Sequence, residues 1–305
     1  MRPVHVSLAV LVAAIWGLNF VIIDVGLEDF PPLLLSALRF ALASLPLVLM
    51  RGGPGVPWRW VLAVAVAIGI VKFSLLFVGM DVGMPAGLAS LVLQAQAFFT
   101  IGFAAVLLRE RVRPVAAAGL VLATSGLALV ASGLGGAATP AGFALVIAAA
   151  AAWGVGNVAI RRAAAADPFR FMTHWCVVPP LPLLALSLAF EGPRAVGDAL
   201  ASINLGGVAA VAYIAFAATT VGWGLWAYLM RVYPSSTVAP FSLLVPVFGM
   251  GFAALLLGEP LGVRTVVAAA LVVSGVLLTQ RAPRISAHVA GIRAARGLRG
   301  EAGAG

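Results

Sequence analysis

Apolar residues run along this chain in long stretches that lack a two-residue alternation, and short polar breaks separate one stretch from the next. A helix needs about 20 apolar residues to cross roughly 30 Å of hydrocarbon, so each stretch reads as one span. Turn and charge punctuation predicts helices near 5–25, 32–50, 59–79, 86–107, 114–132, 141–160, 169–190, 205–229, 236–257 and 262–280. A closed β-barrel also satisfies its backbone inside lipid, but its strands would alternate apolar and polar positions over about ten residues. Val115–Val130 shows no such alternation, and an all-α integral membrane protein of ten transmembrane helices is expected.

Composition strengthens the picture. The chain has 305 residues, 63% hydrophobic and only 10% charged, where a soluble domain carries about a quarter charged residues. Only Arg2 and His5 bring charge ahead of the first run, and no small-residue cleavage site follows it, so Val6–Val25 reads as a first helix rather than a signal peptide. The single cysteine, Cys176, cannot form an internal disulfide and reads as a small apolar residue.

The formal charge of +9 matters for where it sits. Arg2, Arg51, Arg59, Arg109, Arg111, Arg113, Arg161, Arg162, Arg170, Arg231 and the tail arginines fall in one set of loops and ends; the other set holds only Arg194 and Arg264, with Glu28, Asp29, Asp81, Glu191, Asp198 and Glu259. Cytoplasmic loops accumulate Lys and Arg, which places both termini in the cytoplasm and requires an even number of crossings. The segment from Arg281 to Gly305 has five arginines among small residues and no aromatics, a lipid-facing segment rather than a nucleic-acid binder.

The halves of the chain resemble each other. Gly102-Phe-Ala-Ala-Val-Leu-Leu-Arg-Glu110 matches Gly251-Phe-Ala-Ala-Leu-Leu-Leu-Gly-Glu259 without a gap, Pro85 aligns with Pro234, Ser125-Gly126 with Ser274-Gly275, and Trp16-Gly17 with Trp153-Gly154. Five helices per copy is an odd number, so the second copy enters the membrane upside down. This divides the chain into a first five-helix repeat (1–133), a second (134–281) and a basic cytoplasmic tail (282–305), with a central cavity between inverted-topology repeats. Such repeats supply two oppositely open states of comparable energy, the basis of alternating access in secondary transporters.

With Ala14-Ile-Trp-Gly-Leu-Asn-Phe20, Leu38-Arg-Phe40, Leu107-Leu-Arg-Glu-Arg111 and Leu256-Leu-Gly-Glu-Pro260 in view, the whole chain resembles the drug/metabolite transporter superfamily, EamA-type, in its bacterial amino-acid exporter branch. The resemblance implies a ten-helix basket in the bacterial inner membrane that exports metabolites such as aromatic and other neutral amino acids. A drug or nucleotide-sugar carrier of the same superfamily is the second reading, and a non-transporting membrane enzyme or scaffold the third. The expected partners are a small-molecule substrate and the lipid bilayer, with no nucleic acid and the chain as a monomer.

Polar side chains inside a bilayer are candidate sites because they are costly unless paired or facing a wet cavity. Lys72 is the first, about thirteen residues or roughly 20 Å into its helix; its ammonium suits a substrate carboxylate or, otherwise, the carbonyls of a kinked helix. Trp16 with Asn19, and Trp153 with Asn157, lie one turn apart near mid-membrane, as cavity wall or as interhelical packing. Of Gln94 and Gln96, two residues apart, one is expected in the cavity, preferably Gln94. Tyr213, Thr220, Trp223 and Tyr228 offer an aromatic and hydroxyl set, suited to an apolar side chain or serving as ordinary helix packing. Arg39 and Asp24 stand at depths that allow a structural or gating ion pair; Pro240, Pro246, Gly69 and Gly79 are flex points; and Glu110 and Glu259 are helix-end caps or surface ion pairs. No Walker loop, His-Glu-x-x-His or Cys-x-x-Cys occurs, so neither a cofactor nor a metal is expected, nor enzymatic chemistry.

Overall fold

The computed structural model describes residues 1–107, 114–133 and 138–281. Arg109, Glu110, Arg111, Arg113 and the basic tail 282–305 lie outside the described residues. Within them the fold is helical, and nine helices are long and apolar enough to cross a membrane: α1 (Pro3–Asp29), α2 (Pro32–Leu49), α3 (Trp58–Asp81), α4 (Ala86–Leu107), α5 (Pro114–Ala131), α6 (Pro140–Ala163), α7 (Pro168–Phe190), α8 (Leu205–Val232) and α9 (Ala239–Leu256). A tenth apolar helix, α10 (Val263–Arg281), packs along α5.

Local chemistry sets the helix ends. Proline occupies the first turn of α1, α2, α6 and α7, where its missing N–H costs nothing. Thr139, Asp167 and Asn204 cap α6, α7 and α8 by accepting the backbone N–H groups of Gly142, Arg170 and Gly207. Ala164, at φ 45°, ends α6 in the left-handed region. A short helix, Pro193–Ala201, lies in the α7–α8 loop, where the sequence predicted only a charged connection; it buries Val196 and Ala199.

Several of the spans carry an irregular turn, four of them beside the central chamber. Wide π turns occupy Ala65–Lys72 in α3, which includes the predicted flex point Gly69, and Tyr213–Val221 in α8. Tight 3-10 turns occupy Leu93–Ala95 in α4 and Ala239–Leu243 at the start of α9, the latter containing Pro240. Hydroxyls bond back to carbonyls within the α8 turn: Thr219 Oγ1 donates to Ile214 O at 2.8 Å and Thr220 Oγ1 to Ala215 O at 3.2 Å. Pro246 is buried within regular α9.

The packing repeats itself. Helix α1 lies on α9 and α4 on α6; α8 lies on α1 and α3 on α6; α2 meets α7, α4 meets α9 and α5 meets α10. Exchanging every helix with the one five places along maps this set of pairs onto itself. Small residues permit the closest of these approaches. A Cβ added at Gly17 would stand 2.5 Å from Phe248 Cβ and 2.8 Å from Gly249 N; one added at Gly154 would stand 2.7 Å from Phe99 Cβ and 2.9 Å from Thr100 N.

Bonds between helices close the face opposite the chain's first residue. Glu191, past the end of α7, accepts the Leu33 and Leu34 N–H groups at the start of α2 (2.6 and 3.3 Å). Glu259, past the end of α9, accepts the Gly87 N–H of α4 at 3.1 Å, which makes it the cap the sequence predicted, although of a neighbouring helix. Asn204 donates to Asp29 at 2.6 Å, and Thr139 Oγ1 donates to Val82 O at 2.7 Å.

Candidate transport cavity

A cavity of about 610 Å³ lies among α1, α2, α3, α4, α6, α7, α8, α9 and α10, within the size range of small-molecule sites. It extends to the face that carries the ends of α6 and α8 and the start of α9, since Arg161, Met230 and Ala239 line it. The first residues of α1 sit at this same face, where His5 Nδ1 lies 2.8 Å from the Tyr233 hydroxyl.

Of the predicted site residues, Trp16, Asn19, Lys72, Gln94, Trp153, Asn157, Trp223 and Arg39 all line this one chamber. Both glutamines reach it, against the expectation of one. The 3-10 turn at Leu93–Ala95 changes the angle between positions two apart from about 160° to about 120° and brings them nearer one face. Tyr213 is not part of the wall; its hydroxyl donates to Ile15 O at 2.9 Å and ties α8 to α1. Asp24 and Pro246 are also absent from the lining.

The expected Arg39–Asp24 ion pair does not form. Arg39 is 3% exposed and turns to α8, where Nε donates to Thr219 Oγ1 at 3.1 Å, while Nη1 is buried without a hydrogen-bond partner. Its guanidinium carbon stands 3.8 Å from the centroid of the Phe73 ring. Lys72, 4% exposed, places Nζ 3.3 Å from the same centroid and 4.7 Å from that of Trp153. Cation–π contacts of this kind strengthen on desolvation. The two distances to one centroid, 3.3 Å and 3.8 Å, put the charges no more than 7.1 Å apart. At an effective dielectric of about 20 that proximity is a repulsion of about 2 kcal/mol or more. No Asp or Glu stands among the described lining residues to offset it.

The rest of the wall is aromatic and amide. Trp16 donates from Nε1 to Ala218 O at 2.9 Å in the π turn, and its ring lies 5.7 Å from Trp223 and 5.2 Å from Trp226. Asn157 Nδ2 donates to Gln96 Oε1 at 2.7 Å and Thr100 Oγ1 at 3.0 Å, joining α6 to α4. Asn19 Oδ1 is buried without a partner. Trp175, Trp226, Thr219 and Ser242 also line the chamber and were not singled out from the sequence. The only sign of Trp175 was its place beside Cys176, the repeat counterpart of Arg39; Thr219 and Trp226 sit on an apolar helix with no face marked by charge.

Comparison with known proteins agrees with this architecture. A solved crystal structure superposes with a TM-score of 0.63 at 20% identity, covering 91% of this chain and 96% of its own, and establishes likeness of fold. Proteins of Salmonella typhimurium and Escherichia coli, each named a probable amino-acid metabolite efflux pump, are 40% identical over 277 residues, 89% of this chain and 93% of theirs. A probable terminal-alkyne amino-acid exporter of Streptantibioticus cattleyicolor is 29% identical over 282 residues, 89% of this chain and 92% of its own. The model of the EamA-like transporter family matches twice, at residues 4–132 and 140–281. The chain belongs to the EamA-like transporter family and is a multi-pass membrane transporter rather than an enzyme.

Proposed function

We propose that this protein exports amino-acid-derived solutes, those with aromatic side chains included, from the cytoplasm by alternating access. The observation that carries the reading is the pair of buried cations, Lys72 and Arg39, facing an aromatic cavity without an acidic residue among its described lining. A substrate carboxylate supplies the missing charge, and the tryptophan rings receive an apolar side chain. The names of the relatives, which speak of amino-acid metabolites, support the same class of solute.

The five-helix exchange of packing partners supports two halves of opposite orientation, each a version of the other. The arginine bias supports cytoplasmic termini. On that orientation the cavity faces inward, and the Glu191 and Glu259 caps hold the outer side shut. Opening outward would then part those caps and draw together the ends of α6 and α8.

Radiolabelled counterflow of the amino acids in proteoliposomes tests the reading. Lys72→Met should cut substrate-dependent exchange at least tenfold while the protein still purifies as a folded species. Exchange at the wild-type rate would remove Lys72 from the mechanism.

A further inference from the structure

Three polar atoms of cavity-lining residues bear on the chemistry of what fills the chamber. Arg39 Nη1 and Asn19 Oδ1 are buried with no hydrogen-bond partner, and the Lys72 ammonium meets ring faces among the described residues. Buried polar groups of this kind are ordinarily satisfied, and each exception asks for a reason. Two of the three are cationic donors; the third is a neutral acceptor.

We propose that Arg39 and Lys72 together seat one anionic group and that the cavity selects a net anionic amino-acid metabolite, one whose nitrogen is acylated or otherwise uncharged, over the free zwitterion. The inference rests on reading this chamber as the transport site for amino-acid-derived solutes. A free α-ammonium entering it meets the charges of Arg39 and Lys72 with no carboxylate among the described lining residues to receive it. An acylated nitrogen carries no charge and keeps one N–H, the group that Asn19 Oδ1 lacks. Trp16, one turn from Asn19 on α1, and its neighbours Trp223 and Trp226 then cover the apolar remainder of the molecule. Arg39 becomes a specificity-determining residue rather than half of a structural pair. Its Nε bond to Thr219 fixes the guanidinium and leaves Nη1 without a partner until an anion draws it towards the chamber.

A charge series on one side chain tests this. Proteoliposomes holding the full chain are assayed by counterflow with N-acetyl-phenylalanine, 3-phenylpropionate, phenylalanine and phenylalaninamide. The expected order places N-acetyl-phenylalanine first, at least tenfold faster than phenylalanine, with 3-phenylpropionate between them and phenylalaninamide without exchange. Arg39→Gln, which retains a donor for Thr219, should shrink the preference for N-acetyl-phenylalanine over phenylalanine at least fivefold. The wild-type ranking stands as a test even if that variant does not fold. Phenylalanine exchanging as fast as N-acetyl-phenylalanine would overturn this inference and leave amino-acid export standing. Absence of exchange for all four compounds, together with failure of the amino-acid screen, would overturn both.

Discussion

Replacing Gly17 by alanine puts one methyl group where α1 and α9 touch. The new Cβ would lie 2.5 Å from Phe248 Cβ, 2.8 Å from Gly249 N and 3.0 Å from the Phe248 carbonyl carbon, all inside the 3.4 Å at which ordinary contact begins. Two of those three atoms are backbone, so a side-chain rotation cannot relieve the clash and the helices have to part by several tenths of an ångström. Overpacking of this kind costs about 1–3 kcal/mol, against a gain of about 0.5–1 kcal/mol from replacing a helical glycine. Gly102 is the control: it is helical and exposed, with nothing within 4 Å of an added Cβ, so Gly102→Ala collects the gain without the cost. At roughly 2 °C per kcal/mol for a chain of this size, Gly17→Ala should melt up to about 5 °C below the wild type and Gly102→Ala at or slightly above it. The protein supplies its own reporter, because its one cysteine, Cys176, is fully buried and becomes available to a thiol-reactive fluorogenic dye on unfolding. Gly154→Ala, with 2.7, 2.9 and 2.9 Å approaches to Phe99 and Thr100, should repeat the loss on the α6–α4 pair. Gly17→Ala melting with or above Gly102→Ala would refute the claim that close backbone approach sets these helix pairs.

The same dye assay reads two further changes. Burial raises the Glu259 carboxyl above the ordinary Glu range and the Asp24 charge adds to the rise, while the Gly87 and Ala86 N–H bonds oppose it. A raised native pKa means the fold binds the proton more tightly than the unfolded chain, so its stabilising contribution is full below the ordinary pKa and declines as pH climbs through the raised one. Glu259→Gln should flatten that part of the pH dependence of melting, and an unchanged slope would count against the assignment. Trp16→Phe keeps the ring beside Trp223 and Trp226 but removes the bond to Ala218 O; a loss of about 1 kcal/mol is expected, seen as a drop of about 2 °C, with no drop if the bond contributes nothing.

The ten spans were legible because lipid imposes length and apolarity on every crossing, and the boundaries agree within a few residues: 59–79 was predicted where Trp58–Asp81 is found. Lys72 was legible for the same reason, since depth can be counted along a helix. What depth does not give is azimuth. Arg39 and Asp24 stand at depths that permit a pair, yet the guanidinium points to Thr219, and in an all-apolar span nothing in the sequence says which way a residue faces. In water one polar face would mark the outside; in lipid both faces are apolar, so Trp175, Trp226 and Thr219 left no periodic trace. The π turns at Ala65–Lys72 and Tyr213–Val221 were also hidden apart from Gly69, because neither contains the proline that ordinarily signals a break.

Those two wide turns make the walls of the chamber unequal in stiffness. Lys72 closes one of them and Thr219, the anchor of Arg39, lies inside the other. A ligand that pulls on both cations therefore loads α3 and α8 at points where the hydrogen-bond ladder is already out of step and bending breaks few further bonds. The grip on the cargo and the springs of the machine are the same few residues.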